Sequence, residues 1–310
     1  MDHKNETHMT QFEGVIHHSL SGFYQVWTGD QSFTTKPKGL FRHTNLKPMV
    51  GDRVTIEVNL DDVHSQGRMI DVKKRFNALV RPPVVNVDYA IVVMALVEPD
   101  FSFSLLDQYL VTLEHQDIHP IILLTKRDKL IEAAGSQVGQ DLILNITNIY
   151  EPIGYPVWVK EETEAFSQRF IEHLQEGIYI TMGQSGAGKS TFLNQLLPEA
   201  NIQTGDISQS LNRGRHTTRQ VTLYPVAKGL IADTPGFSSL EPPQIEPEAL
   251  RLLFPEIRQA GQECKFRSCV HDKEPKCQVK ALVESGEIAQ ERYQSYKYLL
   301  DKIRDSKPLF

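Results

Sequence analysis

The segment "GQSGAGKST" at residues 183–191 carries the strongest chemical pattern in the sequence. It fits G-x-x-x-x-G-K-[ST] and comes directly after an apolar run, "IYITM", which predicts a strand followed by a helix. Glycines let backbone N–H groups surround phosphates, the lysine reaches the terminal phosphates, and the next hydroxyl ligates Mg²⁺. A glycine-rich turn without a ligand is the alternative. The predicted phosphate-binding residues are Gly183, Gln184, Ser185, Gly186, Ala187, Gly188, Lys189, Ser190 and Thr191, with Ser190 also on Mg²⁺.

Two further segments contain residues that could complete a nucleotide site. The apolar run in "GLIADTPG" ends in Asp233, which can hold Mg²⁺ through water, while the Gly236 amide can sense a γ-phosphate. The polar segment "GRHTTRQ" offers Thr217 or Thr218 as a hydroxyl ligand of Mg²⁺ in a mobile switch. Taken alone, each segment is more often an ordinary turn or a solvated loop. Next to a phosphate loop, they predict a Mg²⁺-dependent nucleotide site.

The segment "TKRD" follows another apolar run, "IILL", and has the residue types of a guanine-reading loop. An aspartate accepts hydrogen bonds from N1–H and the exocyclic amine of guanine, and adenine offers no matching pair of donors. Asp128 would therefore select GTP over ATP, and the Lys126 stem could pack over the base. As a lone tetrapeptide the signal is weak, because charged residues after a strand are common. With the phosphate loop, it predicts GTP-binding residues Thr125, Lys126, Arg127 and Asp128.

The sequence lacks the glutamine that orients the attacking water in Ras-type GTPases. A glutamine immediately after D-x-x-G performs this role in Ras-type GTPases, and Phe237 stands at that position. Intrinsic hydrolysis is therefore predicted to be slow. His216, next to the switch threonines, is the first candidate for a catalytic water-positioning group; an exposed loop histidine is the alternative.

All three cysteines lie within one 14-residue window, "CKFRSCVHDKEPKC", together with a histidine. Three thiolates and one imidazole make a tetrahedral set of the structural Zn²⁺ type, which is closed to water. Free cysteines that happen to cluster are the alternative. The predicted ligands of one zinc ion are Cys264, Cys269, His271 and Cys277.

The elements that must position these residues can be read from the apolar periodicity. From residue 11 to about 80, short alternating runs separated by Gly-Asp turns predict a small β-barrel, of oligonucleotide-binding or SH3-like type, and a packing module without a ligand is the alternative. Strands and helices then alternate, which predicts a mainly parallel sheet with helices on both faces. Around the cysteines, helices are expected at about 245–260 and 279–305. The predicted domains are 1–80, 81–240 and 241–310.

Composition excludes some functions. The net charge of −6 and isoelectric point near 6 give no global basic footprint, so nucleic-acid contacts would rest on local clusters such as Lys73, Lys74 and Arg75. The N-terminus lacks a signal-peptide pattern, and the longest apolar run, 89–97, is about half of a membrane span. Three cysteines are too few for a disulfide scaffold and agree with a reducing compartment. A cytoplasmic protein without membrane contact is expected.

With these motifs, nearly the whole chain resembles the ribosome small-subunit-dependent GTPase A family (RsgA/YjeQ), including "VRPPVVNVD" and "VEPDFS". The resemblance implies an N-terminal oligonucleotide-binding-type β-barrel, a central α/β P-loop GTPase domain with circularly permuted motif order, and a C-terminal zinc-binding helical domain. Permutation accounts for "TKRD" preceding the phosphate loop. The implied role is late maturation of the small ribosomal subunit, with hydrolysis of GTP to GDP stimulated by the subunit and its rRNA as partner. A monomer is expected.

Two positions depart from the family pattern. Thr125 replaces the usual asparagine of N-K-x-D, and "KEE" at 160–162 stands where small residues of a second guanine-contacting loop are expected, so no residue is assigned there. Two other function classes remain open. A P-loop ATPase or small-molecule kinase would prefer ATP. An RNA-binding module with a scaffold nucleotide site would not hydrolyse GTP even with small subunits present.

Overall fold

The structure is a computed structural model that describes residues 9–38, 47–61, 66–80, 82–200, 221–233 and 243–305. Contacts divide the chain into two compact units, each assembled from separate segments. The first unit comprises Met1–Asp88, Ser167–Thr181 and Leu193–Pro235, and the second comprises Tyr89–Phe166, Met182–Phe192 and Gly236–Phe310. The division into domains at residues 80 and 240 remains a prediction. No helix among the described residues is long and apolar enough to cross a bilayer.

The secondary structure alternates as the periodicity predicts. The strands are β1 (Met9–Leu20), β2 (Phe23–Trp27), β3 (Ser32–Pro37), β4 (Arg53–Asn59), β5 (Gly67–Val72), β6 (Tyr89–Ala95), β7 (His119–Thr125), β8 (Val157–Val159), β9 (Ile178–Met182), β10 (Thr222–Val226) and β11 (Gly229–Asp233). The α-helices are α1 (Phe103–His115), α2 (Arg127–Ala134), α3 (Ser136–Tyr150), α4 (Glu164–His173), α5 (Lys189–Leu196), α6 (Pro247–Leu250), α7 (Pro255–Ala260), α8 (Gln278–Ser285) and α9 (Gln290–Asp305).

In the first unit, β1 to β5 close into a barrel with the strand order β1-β2-β3-β5-β4, which confirms the predicted β-barrel. Alternate side chains of β4 point inward, and Val54 and Ile56 are fully buried. The polar strand β3 was not predicted, because "SFTTKP" has little apolar alternation; it pairs antiparallel with β2 and parallel with β5. Edges that would attract other strands are removed by this closure.

The first unit also contains β9, β10 and β11. Strand β11 lies parallel to β9, with Leu230 opposite Ile178, and antiparallel to β10. The barrel contacts this group, because His18 Nδ1 lies 3.0 Å from Thr222 Oγ1. The unit therefore joins the barrel to strands that the sequence placed in the next domain.

In the second unit, β6, β7 and β8 form a parallel arrangement. Strand β6 is buried along almost its whole length, as expected of a strand covered on both faces. Helix α1 follows β6 and is capped by Ser102, whose hydroxyl accepts from the Leu105 N–H at 3.3 Å. Parallel strands expose their carboxyl ends at one edge, and the "TKRD" segment begins at the end of β7.

The C-terminal segment of the second unit is helical, but its helices are shorter than expected. The predicted helix at 245–260 is divided by a 3₁₀ turn and by Pro255, which has no N–H to continue a helix. The predicted helix at 279–305 is divided by Gly286, which has a φ of 82° and ends α8. The rings of Phe254 and Tyr296, which lies on α9, are perpendicular to each other, with centroids 5.4 Å apart.

A buried ionic network joins this C-terminal segment to helix α1. The guanidinium of Arg292, on α9, lies 2.5 Å from Asp107 Oδ1 on α1 and 2.7 Å from Glu256 Oε1 on α7. The Tyr150 hydroxyl donates to Asp107 at 2.7 Å, and the guanidinium lies 4.5 Å from the Phe254 ring centroid. Because the side chains of Arg292 and Asp107 are at most 1% exposed, solvent does not screen this network.

Candidate nucleotide and metal sites

The glycine-rich segment leads directly from β9 into α5, the context that the pattern requires. Gly183 has a φ of 139°, and a Cβ at this position would lie 2.1 Å from the carbonyl oxygen of Val93, so only glycine fits. The Lys189 ammonium donates to the carbonyl oxygens of Gly183 at 2.7 Å and Gln184 at 2.6 Å. The segment therefore forms a compact loop around its own lysine. Helix α5 starts where the Phe192 N–H bonds the Gly188 carbonyl at 2.9 Å.

The end of β7 is hydrogen-bonded to this loop through Thr125. The Thr125 hydroxyl donates to the Ala187 carbonyl at 2.7 Å, and Thr125 and Ala187 are only 2% and 1% exposed. A Cβ on Gly188 would lie 3.8 Å from Thr125 Oγ1, which is ordinary van der Waals distance. The hydroxyl therefore fastens the predicted guanine-reading loop to the predicted phosphate loop.

Asp128 is exposed in the first turn of α2. A carboxylate is favoured there because the helix N-terminus carries a partial positive charge. Lys126 precedes this helix as its N-cap residue. Its φ of 59° is a left-handed backbone conformation that is uncommon for residues other than glycine. The carboxylate is therefore accessible to a ligand, as its proposed contact with a base requires.

A segment that sequence reasoning missed lies between the two loops. The Lys126 ammonium donates to the Glu98 carbonyl oxygen, and Lys129 Nζ lies 2.7 Å from Glu98 Oε2. The hydrogen bond from Lys129 lowers the pKa of the Glu98 carboxyl. Pro99 Cδ lies 3.9 Å from where a Cβ of Gly186 would be, so the segment also meets the phosphate loop. We call residues 97–100 the VEPD strap; its family match was visible in the sequence, but no residue type there signals these contacts.

The "KEE" segment follows β8, whose neighbour is β7. The Lys160 N–H donates to the Leu124 carbonyl at 2.8 Å, which sets residue 160 beside the start of "TKRD". The Lys160 side chain is 4% exposed, and its ammonium pairs with the carboxylate of Glu162. The buried ammonium of Lys160, paired with Glu162, therefore lies in the segment where a second guanine-contacting loop is expected.

Several predicted residues lie outside the described ranges. They are His216, Thr217, Thr218, Gly236 and Phe237. Asp233 is the last residue of β11, and its backbone pairs with Thr222 of β10. The strand that the sequence predicts before this aspartate is therefore confirmed.

The four predicted metal ligands come together in the second unit. Their ligand atoms all lie within 4.8 Å of one another. Cys264 Sγ lies 3.9 Å from Cys277 Sγ and 3.6 Å from His271 Nδ1, which in turn lies 3.4 Å from Cys277 Sγ. Tetrahedral zinc with a bond to sulfur of about 2.3 Å separates two sulfur ligands by about 3.8 Å. The set fits a single metal ion.

The residues around the four predicted ligands favour binding of a cation. Burial raises the pKa of the Cys269 thiol, and a bound cation would offset this cost by favouring the thiolate. Burial lowers the pKa of His271 to about 4, so the imidazole is neutral and free to ligate. Helix α9 holds the backbone, because the hydroxyls of Tyr293 and Tyr296 donate to the carbonyls of His271 and Val270 at 2.7 Å.

Comparisons with known proteins identify the family of the chain. The model of the RsgA GTPase family matches residues 72–243, and that of the RsgA N-terminal domain matches residues 13–65. The small ribosomal subunit biogenesis GTPase RsgA of Enterococcus faecalis is 46% identical, covering 97% of this chain and 99% of that protein.

Two solved structures share the fold. The crystal structure of YloQ, a circularly permuted GTPase, has a TM-score of 0.82 at 38% identity and covers 100% of both chains. The crystal structure of YjeQ from Thermotoga maritima has a TM-score of 0.80 at 30% identity and covers 96% of this chain and 100% of the other. The predicted circularly permuted fold is thereby confirmed.

Proposed function

The chain belongs to the RsgA GTPase family and is a GTPase of small ribosomal subunit biogenesis, and we propose that it acts in late maturation of that subunit. Binding to the subunit and its rRNA stimulates hydrolysis of GTP to GDP in this proposal. The protein works in the cytoplasm as a monomer. The single observation that carries the assignment of its nucleotide site is the hydrogen bond of Thr125 to Ala187, because it joins a base-reading loop to a phosphate-binding loop.

The proposed GTP-binding residues act in two groups. Backbone N–H groups of residues 183–191 surround the phosphates and Lys189 contacts the terminal ones, with the Gly236 amide at the γ-phosphate. Asp128 accepts from N1–H and the amine of guanine, and Lys126 covers the base. Thr125 and Arg127 complete the base-reading loop.

Mg²⁺ supplies charge neutralisation to the β- and γ-phosphates when it is bound. The residues proposed to hold it are Ser190, Thr217 or Thr218, and Asp233. Oxygen donors of this kind suit Mg²⁺.

His216 is proposed to orient the attacking water, because Phe237 has no polar group for this role. Replacing His216 by alanine is expected to lower subunit-stimulated turnover roughly 100-fold, the low end of general acid–base contributions, while GTP affinity stays the same. Undiminished stimulated turnover in His216→Ala would rule out this role.

The proposed ligands of one structural Zn²⁺ are Cys264, Cys269, His271 and Cys277. Thiolates and imidazole suit zinc, and four protein ligands leave no open position for catalysis. Metal analysis of the purified protein should find one zinc per chain, and Cys277→Ser should lose it and unfold the C-terminal segment. Ser268→Ala, in the same loop but without a ligand atom, should retain the ion; a protein that folds equally well without metal would contradict the proposal.

The decisive experiment measures GTP hydrolysis with and without purified small ribosomal subunits at two salt concentrations. The proposal predicts slow intrinsic turnover, strong stimulation by subunits, and weaker stimulation at higher salt because RNA contacts release counterions. Preferential hydrolysis of ATP would favour an ATPase or kinase. Absence of GTP hydrolysis with subunits present would favour an RNA-binding module.

A further inference from the structure

A cavity of about 380 Å³ lies within the first unit, and none of the residues that line it belongs to either candidate site. It is found at the end of the barrel where β2 ends and β4 begins, and the turns before β9 and between β10 and β11 close its other side. The phosphate loop follows the opposite end of β9. The side chains that give the cavity its chemistry are Glu13, Trp27, Arg53, Lys73, Glu176 and Lys228.

The cations of the cavity differ in what they already bind. Lys73 Nζ lies 2.6 Å from Glu13 Oε1, and Arg53 is 3.6 Å from an oxygen of Asp88. Lys228 forms no ion pair with any residue that the structure describes. The Lys228 side chain is exposed, so its ammonium can meet an anion from outside. The Arg53 side chain remains 49% exposed and can turn toward the same ligand.

The position of Lys228 is fixed by a tight turn. Val226 pairs with Gly229, so Ala227 and Lys228 alone connect β10 to β11, and Ala227 has a φ of 48°. A Cβ on Gly229 would lie 2.7 Å from the Gly177 carbonyl oxygen. The backbone of the turn thus packs on the backbone that precedes β9, and it holds the lysine at the edge of the cavity.

The basic run at residues 73–75 contributes to the cavity only through its first member. Arg75 donates to both carboxylate oxygens of the fully buried Asp52 at 2.7 Å, so it stabilises the barrel. Lys74 is exposed, and the exposed Phe76 ring lies 5.7 Å from the guanidinium of Arg53. Cations and aromatic rings therefore continue from the cavity onto the neighbouring surface.

We propose that this cavity binds one unpaired nucleotide of RNA, with the base against Trp27 and the phosphate at Lys228 and Arg53. Cavities of about 300–1,000 Å³ hold small ligands, and aromatic rings beside cations are the usual means of holding single-stranded RNA. The carboxylate of Glu176 can accept from an amino group on the base edge. Because Lys74 and Phe76 extend the surface, the ligand is a chain rather than a free nucleotide. The inference rests on the proposed function, which supplies rRNA as the partner.

The test uses the fluorescence of Trp27. The chain has two tryptophans, so Trp158→Phe leaves Trp27 alone. Titration with an adenosine hexaribonucleotide should quench this emission. If Trp158→Phe does not fold, the difference between the native protein and Trp27→Phe provides the same signal. Absence of quenching would overturn the proposal. If AMP quenched the emission at concentrations as low as those of the hexamer, the proposal would also be overturned, because the site would then bind a free nucleotide equally well.

Lys228→Ala should weaken hexamer binding roughly tenfold and reduce the slope of log affinity against log salt by about 0.7, the value for one phosphate contact on a single strand. The matched control is Lys36→Ala, which removes a barrel cation 4.4 Å from the Phe23 ring but outside the cavity. Equal affinities of the two variants would reject the inference. Subunit-stimulated GTP hydrolysis by the unsubstituted protein tests the proposed function separately, so failure of one leaves the other standing.

Discussion

The hydroxyl of Thr125 donates to the carbonyl of Ala187 across a separation of 62 residues, at a distance of 2.7 Å. Thr125 stands at the first position of the N-K-x-D pattern, where an asparagine amide would be longer than its hydroxyl. The hydroxyl reaches the phosphate loop, and its second, longer contact is with the Met94 carbonyl at 3.4 Å. A threonine side chain is therefore long enough to join the two loops in this chain.

Thr125→Val tests this fastening, because valine keeps the shape and removes the donor. The Ala187 carbonyl then lacks its partner in a buried place, which costs about 1–3 kcal/mol. We expect GTP to bind roughly tenfold more weakly, measured with a fluorescent GTP analogue. Thr125→Ser, which keeps the hydroxyl, is the control and should bind GTP nearly as tightly as the native chain. Equal affinities of the valine and serine variants would show that the hydrogen bond has no role in binding.

The VEPD strap should also affect GTP binding, through its contacts with Lys126 and Lys129. Glu98→Ala removes the carboxylate that holds Lys129, and this loosens the first turn of α2, which carries Asp128. We expect KM for GTP to rise several-fold while kcat changes little, since ground-state binding is affected rather than chemistry.

The control for the strap is Glu132→Ala, on α2, which removes another carboxylate that acts on Lys129 electrostatically. It leaves the strap intact and should change KM much less than Glu98→Ala. A similar KM for the two variants would assign the effect to charge alone rather than to the strap.

The buried network around Arg292 should be among the most sensitive parts of the second unit. Arg292→Met leaves the carboxylates of Asp107 and Glu256 buried without a cation, which should lower the free energy of unfolding by about 3–5 kcal/mol. Urea unfolding monitors this loss. Adding Asp107→Leu and Glu256→Met should recover most of it, because no unpaired charge remains. For comparison, Lys73→Met breaks the exposed ion pair between Lys73 and Glu13. This substitution should change the free energy of unfolding by less than about 1 kcal/mol.

The barrel should become less stable in mild acid because of His17. Burial lowers the pKa of this imidazole from 6.5, and the charge of His18 adds to the effect, although a backbone hydrogen bond with Leu223 opposes it. The unfolded chain therefore takes up the proton more readily than the folded one. Stability is fully present above pH 6.5 and falls as the pH drops below that value.

His17→Asn should reduce the loss of thermal stability between about pH 7.5 and 5.5, a range that spans the ordinary pKa of histidine. His173→Asn, which replaces an exposed histidine of α4, should leave the pH profile unchanged. The same profile in native and His17→Asn proteins would mean that this imidazole does not control the dependence.

Sequence reasoning found the features that depend on local spacing. The predicted phosphate loop, the end of β7 and the four predicted metal ligands each lie within a window of at most 14 residues, so their types and intervals are visible without a fold. The strap was missed because Glu98 meets Lys126 and Lys129 only through folding, and one of these contacts uses a backbone carbonyl, which every residue has. Strand β3 was missed because its pairing with β2 and β5 stabilises a polar segment that has little strand pattern of its own.

The ammonium of Lys189 already has two carbonyl partners in its own loop, those of Gly183 and Gln184. A nucleotide that takes hold of this lysine must displace both, so its entry is an exchange of hydrogen bonds rather than a net gain. Exchange of this kind yields little free energy for a small anion and more for a ligand that also offers a base and several phosphates. Inorganic phosphate should therefore compete poorly with GTP for this loop. Lys189 should exchange its two carbonyl partners only for a ligand that also offers a base and several phosphates.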